Sequence, residues 1–292
     1  MPKKVAVVTA SGIGDGLILH IASHHLARSG SEVTTFNDHL AGFGKWLAGY
    51  SFAKQPPLSE IEAQFASFDA VVLQHDNTNK SQQIHALDLP IYTLYGSHNL
   101  SKHGSLRETD FVCDPNRTMV DNVTEAVTKW FGLATTENGL VAPRGLIHRK
   151  YPLRIALHSS SGSEEKNWPQ KKFDRVAEEL KKGGYFPLFL NEPGGKPSLP
   201  SLEQLASFLY ESGGFVGNDS GPGHLASYLD IPTLIIGKEA RQMRLWAPGW
   251  RGAEIVTPPP WTSRWKWARK RWKQLISTGN VIKRLKCRLL RN

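Results

Sequence analysis

The sequence predicts an α/β protein of two domains, each built on a parallel sheet. Three observations carry that reading. Short apolar runs alternate with longer amphipathic stretches, the pattern of strand–helix–strand units whose helices cover a sheet. The alternation stops over residues 133–150, where Gly139, Pro143 and Gly145 collect, and then restarts. The chain has 292 residues, 40% hydrophobic and 21% charged, which suffices for two buried cores and excludes intrinsic disorder.

Taken in order, 4–9 is a continuous apolar run, as expected for a strand buried on both faces. A glycine-rich turn, Gly12–Gly16, leads to a helical pattern over 17–29, closed by Gly30, which takes the left-handed conformation cheaply. Strands follow at 32–36, 70–74 and 91–95, and a helix at 120–131 ends at Gly132. Beyond the linker, strands are expected at 154–158, 187–190, 214–216 and 233–236, with helices at 170–182, 202–210 and 222–228. The predicted organisation is a first domain over 1–138, a linker over 139–151, a second domain over 152–258 and a tail over 259–292. In such a pair of α/β domains the expected ligand site is the cleft between them, at the carboxyl ends of the strands.

Charge is distributed unevenly. Of the 36 Lys and Arg, 11 fall within 261–292, which holds no acid, while the other 25 are balanced by 26 acids. A near-neutral body with a basic tail argues against a nucleic-acid-binding fold, whose basic surface would extend over the body. No apolar run is long enough to span a bilayer, and the N-terminus reads as a first strand rather than a secretory signal. Two distant cysteines, Cys113 and Cys287, fit a reducing cytoplasm. The 11 histidines form no H-E-x-x-H pattern and there is no Asp-x-Asp, so no metal site is expected. No G-x-S-x-G and no Walker lysine loop is present.

Three segments carry candidate chemistry. In Gly217-Asn218-Asp219-Ser220-Gly221-Pro222-Gly223-His224, small residues lead from a strand into a helix. Such a turn suits a phosphate, and it suits simple capping by Asp219 or Ser220 equally well. His158-Ser159-Ser160-Ser161 leaves a strand end, with Lys166 just before Trp168-Pro169. Hydroxyls and a lysine there can hold a diphosphate, although a polar loop stapled by Trp168-Pro169 is the plainer reading. In Gly12-Ile13-Gly14-Asp15-Gly16 the third glycine of a dinucleotide fingerprint would fall at Leu17, so a nicotinamide or flavin role is poorly supported. Asp15 is either a first-turn acid or a general base.

Together these segments resemble glycosyltransferase family 9, the lipopolysaccharide core heptosyltransferases. The Gly-Ile-Gly-Asp15-Gly turn is similar to that family's first loop. Lys166-Asn167-Trp168-Pro169 after the serines resembles its Lys-x-Trp-Pro segment, and Asp219-Ser220-Gly221-Pro222-Gly223-His224-Leu225-Ala226 its Asp-Ser/Thr-Gly-x-x-His-Leu-Ala segment. The resemblance covers residues 4 to about 256.

It implies a GT-B fold, two Rossmann-like domains with parallel sheets facing a central cleft. It also implies inverting, metal-independent transfer of a heptose-like sugar from a nucleotide diphosphate sugar such as ADP-heptose, with no further cofactor. Ser160, Ser161, Lys166, Asp219, Ser220, Gly221, Gly223 and His224 would hold the donor, Glu192 the ribose, and Asp15 would be the base. The acceptor would be a lipopolysaccharide-type glycolipid at the inner face of the cytoplasmic membrane. The chain departs from the family between 190 and 202, where a Gly/Pro loop replaces about half a βα unit, so a trimmed second sheet is expected. That trimming keeps a non-catalytic GT-B binding protein in view as the alternative. In the tail, Trp261, Trp265, Trp272, Leu275 and Ile276, then Val281, Ile282, Leu285 and Leu289, recur at helical spacing among the cations. Docking on an anionic membrane is expected there, with packing onto the protein body as the alternative.

Overall fold

The computed structural model describes residues 1–132, 137–191, 198–250 and 252–290. It divides into two compact units, Met1–Val141 and Ala142–Asn292.

The first unit is a six-stranded parallel sheet of β1 (Lys4–Val8), β2 (Glu32–Phe36), β3 (Ser51–Ala53), β4 (Ala70–His75), β5 (Ile91–Tyr95) and β6 (Asp110–Val112). Its order is β3-β2-β1-β4-β5-β6. That is the Rossmann order, in which the chain reverses its direction of growth between β1 and β4. β1 is paired on both edges, Val5 opposite Val33 and Ala70, which explains its uninterrupted apolar run. One core cluster joins Ala6 and Val8 of β1 to Phe36, Ile61, Phe65, Val71 and Ile84.

The first helix begins at Ile13, four residues before the expected start at Leu17, so Gly14, Asp15 and Gly16 form its first turn. Glycine usually weakens a helix by about 0.5–1 kcal/mol relative to alanine. Here a Cβ at position 16 would lie 2.8 Å from the Asn37 amide nitrogen, so the close packing of helix on sheet excludes any larger residue. The helix Met119–Phe131 opens with a reciprocal Thr118–Asp121 capping box and stops at Gly132, whose φ is 72°.

The second unit is a five-stranded parallel sheet of β7 (Tyr151–His158), β8 (Phe186–Phe189), β9 (Ser212–Asn218), β10 (Thr233–Ile236) and β11 (Glu254–Val256). Its order is β11-β10-β9-β7-β8. Among the described residues it repeats the first sheet without a further strand beside β8. Among the described residues no strand lies between β8 and the helix Leu202–Tyr210; most of the Gly/Pro loop on which the trimming was expected, residues 192–197, lies outside them. The switch point here lies between β7 and β9.

The tail is not an appendage. Trp272, Ile276, Val281 and Leu285 are buried in one core cluster with Ile155, Trp168, Phe173, Val216 and Ile236. Lys172 Nζ donates to the carbonyls of Lys273 and Ile276 at 2.8 and 2.7 Å, fastening the tail to the helix Gln170–Lys182. The expectation that one tryptophan and aliphatic face meets a membrane is corrected for these four residues, because the face they form is already covered by the sheet.

Candidate functional site

In the first unit the site elements lie at the switch point. Asp15 stands in the first helical turn after β1, and its Oδ1 accepts a 2.6 Å hydrogen bond from Gln74 Nε2 near the end of β4. Gln74 Oε1 in turn accepts from the Ala10 backbone N–H at 3.2 Å. One amide side chain therefore sets both the loop and the carboxylate. A Cβ on Gly12 would come within 2.5 Å of Asp15 Oδ2, so glycine at that position clears the space the carboxylate occupies. Asn37, fully buried, donates to Thr9 Oγ1 at 2.7 Å and to the Gly12 carbonyl at 3.2 Å, which fixes the turn from beneath. Asp15 is thus half-buried, oriented and offered no cation by its hydrogen-bonding partner, an arrangement able to accept a proton.

Beyond β4 and β5 the same edge carries His75, Tyr95, His98 and His103. The His75 and His103 ring centroids are 5.2 Å apart, and Tyr95 lies 4.9 Å from His75. The Asn99 N–H donates to His103 Nδ1 at 2.9 Å, so His103 Nε2 carries the proton and donates to Asn77 Oδ1 at 2.5 Å. Burial and mutual repulsion lower the pKa of His75. Nothing in the sequence joined these histidines, which come together only through the parallel pairing of β4 with β5.

In the second unit the switch point brings the two serine-bearing loops together through a residue to which sequence reasoning gave no role. Ser220 Oγ donates to the Asn218 carbonyl at 3.0 Å, so its oxygen accepts from His158 Nδ1–H at 3.1 Å. The other ring nitrogen, Nε2, then accepts from Ser160 Oγ at 3.2 Å. Burial pushes His158 down to about 4, so the ring is neutral and can be donor on one side and acceptor on the other. Asn218 makes a second tie: its Oδ1 accepts from the Trp168 N–H at 2.9 Å and its Nδ2 donates to the Ser159 carbonyl at 2.7 Å.

Lys166 closes a short 3₁₀ turn and lies 3.7 Å from Asp219 Oδ2, with its side chain 42% exposed, so its ammonium remains open to an incoming anion. Ser220 is the N-cap of the helix Gly221–Tyr228 but makes no side-chain cap bond, which leaves the first turn, with Gly221, Gly223 and His224, uncapped by that hydroxyl. The plain capping reading of Ser220 is therefore set aside. Ser161 turns away from this group: its hydroxyl bonds Asn167 Oδ1 at 2.7 Å and the Ser163 carbonyl at 2.9 Å, holding its own loop. Glu192 lies outside the described residues. The structure thus gathers Ser160, Lys166, Asp219 and Ser220, with the first turn after Ser220, while Asp15 belongs to the first unit. Among the described residues no group of three or more His, Cys, Asp or Glu could hold a metal ion.

The tail's exposed part is short and sharply composed. Trp261, Trp265 and Trp267 are 45, 57 and 55% exposed, and Arg264, Lys266, Arg269, Lys270 and Arg271 between and after them are exposed as well. Among the described residues no helix is long and apolar enough to cross a membrane.

No protein-family model matches the chain, and no curated protein matches it in sequence. Solved structures do match along its whole length. ADP-heptose lipopolysaccharide heptosyltransferase II of E. coli aligns with a TM-score of 0.71 over 99% of both chains at 14% identity. A family 9 glycosyltransferase of Veillonella parvula aligns at 0.69 over 99% of this chain and 98% of that one, at 19% identity. The E. coli heptosyltransferase WaaC, solved with ADP, aligns at 0.66 over 98 and 99%, at 14% identity. The protein therefore has the two-domain α/β fold of the family 9 heptosyltransferases, the fold its motifs resemble.

Proposed function

We propose that the protein is an inverting glycosyltransferase that moves a heptose-like sugar from a nucleotide diphosphate sugar, ADP-heptose in the first instance, to a glycolipid acceptor. The observation that carries this reading is the convergence of Lys166, Ser160 and Ser220 at the switch point of the second sheet, in a fold shared with heptosyltransferases. Two of the structures with that fold were solved with ADP or an ADP-sugar analogue.

In the proposed reaction the acceptor hydroxyl oxygen bonds to the anomeric carbon as the bond from that carbon to the diphosphate oxygen breaks. The acceptor proton passes to the Asp15 carboxylate. The negative charge growing on the leaving diphosphate is met by Lys166 and by the hydroxyls of Ser160 and Ser220, so the reaction needs no metal for that purpose. Asp219 holds the lysine in place, and Gly221, Gly223 and His224 line the helix turn that receives the phosphates. Glu192 remains the proposed ribose ligand on sequence grounds. Lys166 and the hydroxyls of Ser160 and Ser220 stay grouped even though Ser161 serves its own loop, and that favours turnover over a merely binding role.

A glycolipid acceptor places the reaction at a membrane, and the exposed tryptophans and cations of 261–271 fit the anionic inner face of the cytoplasmic membrane. The test is to incubate the protein with ADP-heptose and a lipopolysaccharide-core acceptor and follow ADP release. Release that depends on the acceptor and stops on Lys166→Ala supports the reading. A protein whose melting temperature is unmoved by every nucleotide and nucleotide sugar tried would end it.

A further inference from the structure

The second unit holds a basic pocket that the donor network does not use. It encloses about 150 Å³ beyond the carboxyl ends of β10 and β11, and Lys238, Arg241, Arg244 and Arg269 line it against a single acid, Glu239. Lys238 reaches Glu165 at 3.4 Å. Among the described residues the three arginines have no ion pair with any carboxylate, although all three are exposed. Four cations gathered around a pocket with a single acid repel one another, and a phosphate, whose oxygens accept two parallel bonds from a planar guanidinium, relieves this.

The pocket shares its wall with the tryptophan ledge. Pro258, Pro259, Pro260 and Thr262 line it, and the exposed Trp261 sits among them in sequence. Arg269 follows Trp265 and Trp267 on the short helix Lys266–Lys270. The buried Trp272 also lines the pocket and anchors this stretch in the core, so the ledge is held by the fold rather than hanging free. Indoles settle at the headgroup level of a bilayer, where phosphate is also found.

We propose that this pocket receives the phosphate of an anionic membrane phospholipid while Trp261, Trp265 and Trp267 enter the headgroup layer around it. The proposal rests on the reading that this segment meets a membrane, and it does not depend on the sugar-transfer chemistry. It is tested by sedimenting the full chain with phosphatidylcholine vesicles, with or without phosphatidylglycerol. The comparison variants are Arg241→Gln/Arg244→Gln/Arg269→Gln and, as a control, Lys283→Gln/Lys286→Gln on the last helix.

The wild type should sediment with anionic vesicles only. Each cation near an anionic leaflet contributes roughly fivefold, so the triple arginine variant should lose about a hundredfold in affinity, and more than the control variant loses. Its melting temperature, and the shift of that temperature on adding ADP, should match the wild type. A triple variant that binds as well as the control overturns the pocket but leaves membrane docking standing. A wild type that ignores anionic vesicles at low salt overturns both. Two further results also end the proposal: displacement by inorganic phosphate at equal concentration to the lipid, which would mark a free-phosphate site, and tighter binding of a single-stranded oligonucleotide through the same arginines.

Discussion

Single side chains carry the sharpest expectations. Asp15→Asn keeps the shape of the group bonded to Gln74 and removes its basicity, so turnover should fall by about 10²–10⁴-fold while nucleotide affinity stays within a few-fold. Steady-state kinetics beside a calorimetric titration separate the two, and normal turnover would reduce Asp15 to a helix-end residue. His158→Phe removes both hydrogen bonds that tie Ser160 to Ser220. At about 0.5–1.5 kcal/mol for each net hydrogen bond, nucleotide affinity should weaken by roughly tenfold. His20 serves stability instead. It is fully buried between Tyr50 and Phe52, neither ring nitrogen has a hydrogen-bond partner among the described residues, and burial lowers it to about 3 from an ordinary 6.5. The folded state thus binds fewer protons than the unfolded chain. The stability this residue allows is complete above pH 6.5 and is lost as the pH falls toward 3, at about 1.4 kcal/mol per pH unit. Urea unfolding at pH 7.5 and pH 5 should therefore show a stability difference that shrinks by about 2 kcal/mol in His20→Phe. An unchanged difference would show that His20 does not set the acid sensitivity.

At the scale of elements, the sequence made long and periodic pieces legible and short ones invisible. The strands at 91–95 and 233–236 and the helices at 170–182 and 202–210 are found where the periodicity places them. β3, β6 and β11 escaped notice because three residues cannot show a period, and each owes its existence to the longer strand beside it. The start of the first helix was misplaced because glycines read as a turn until the packing against Asn37 is known. The donor-loop serines were legible as a motif, whereas the His158 bridge was not, since residues 158 and 220 meet only through the pairing of β7 with β9. Trp272 looked like a membrane anchor because helical spacing tells which face is apolar and not what covers it. Trp272→Ala should cost about 3–5 kcal/mol in the second unit, read from its thermal transition. Gly213→Ala should be at least as damaging, since the new Cβ would lie 1.8 Å from the Pro152 carbonyl oxygen where the β7–β9 register shifts. Backbone cannot yield there as a flexible side chain could.

Across the whole chain, the two units own separate sheets and separate core clusters, so unfolding should proceed in two steps rather than one. The donor loops all belong to the second unit. ADP at a hundred times its dissociation constant should therefore stabilise only that unit's transition, by about 2.7 kcal/mol. Differential scanning calorimetry decides this: equal displacement of both transitions would mean that the nucleotide also engages the first unit.

The β8 margin of the second sheet has a colloidal consequence. Among the described residues β8 is one of its two edge strands, and Phe186 and Leu188 on it are 65 and 47% exposed. An apolar strand at a sheet margin invites the strands of other molecules to add to it. Leu190 N–H donates inward to the Leu157 carbonyl, and two-residue alternation then turns the nitrogen of Pro187 outward. A proline there offers a neighbouring chain no hydrogen to share, and it is tolerated because the strand is marginal. Pro187 thus blunts a margin that would otherwise be open to added strands. Pro187→Thr, which restores the donor, should leave the fold intact and shorten the time to turbidity on concentration.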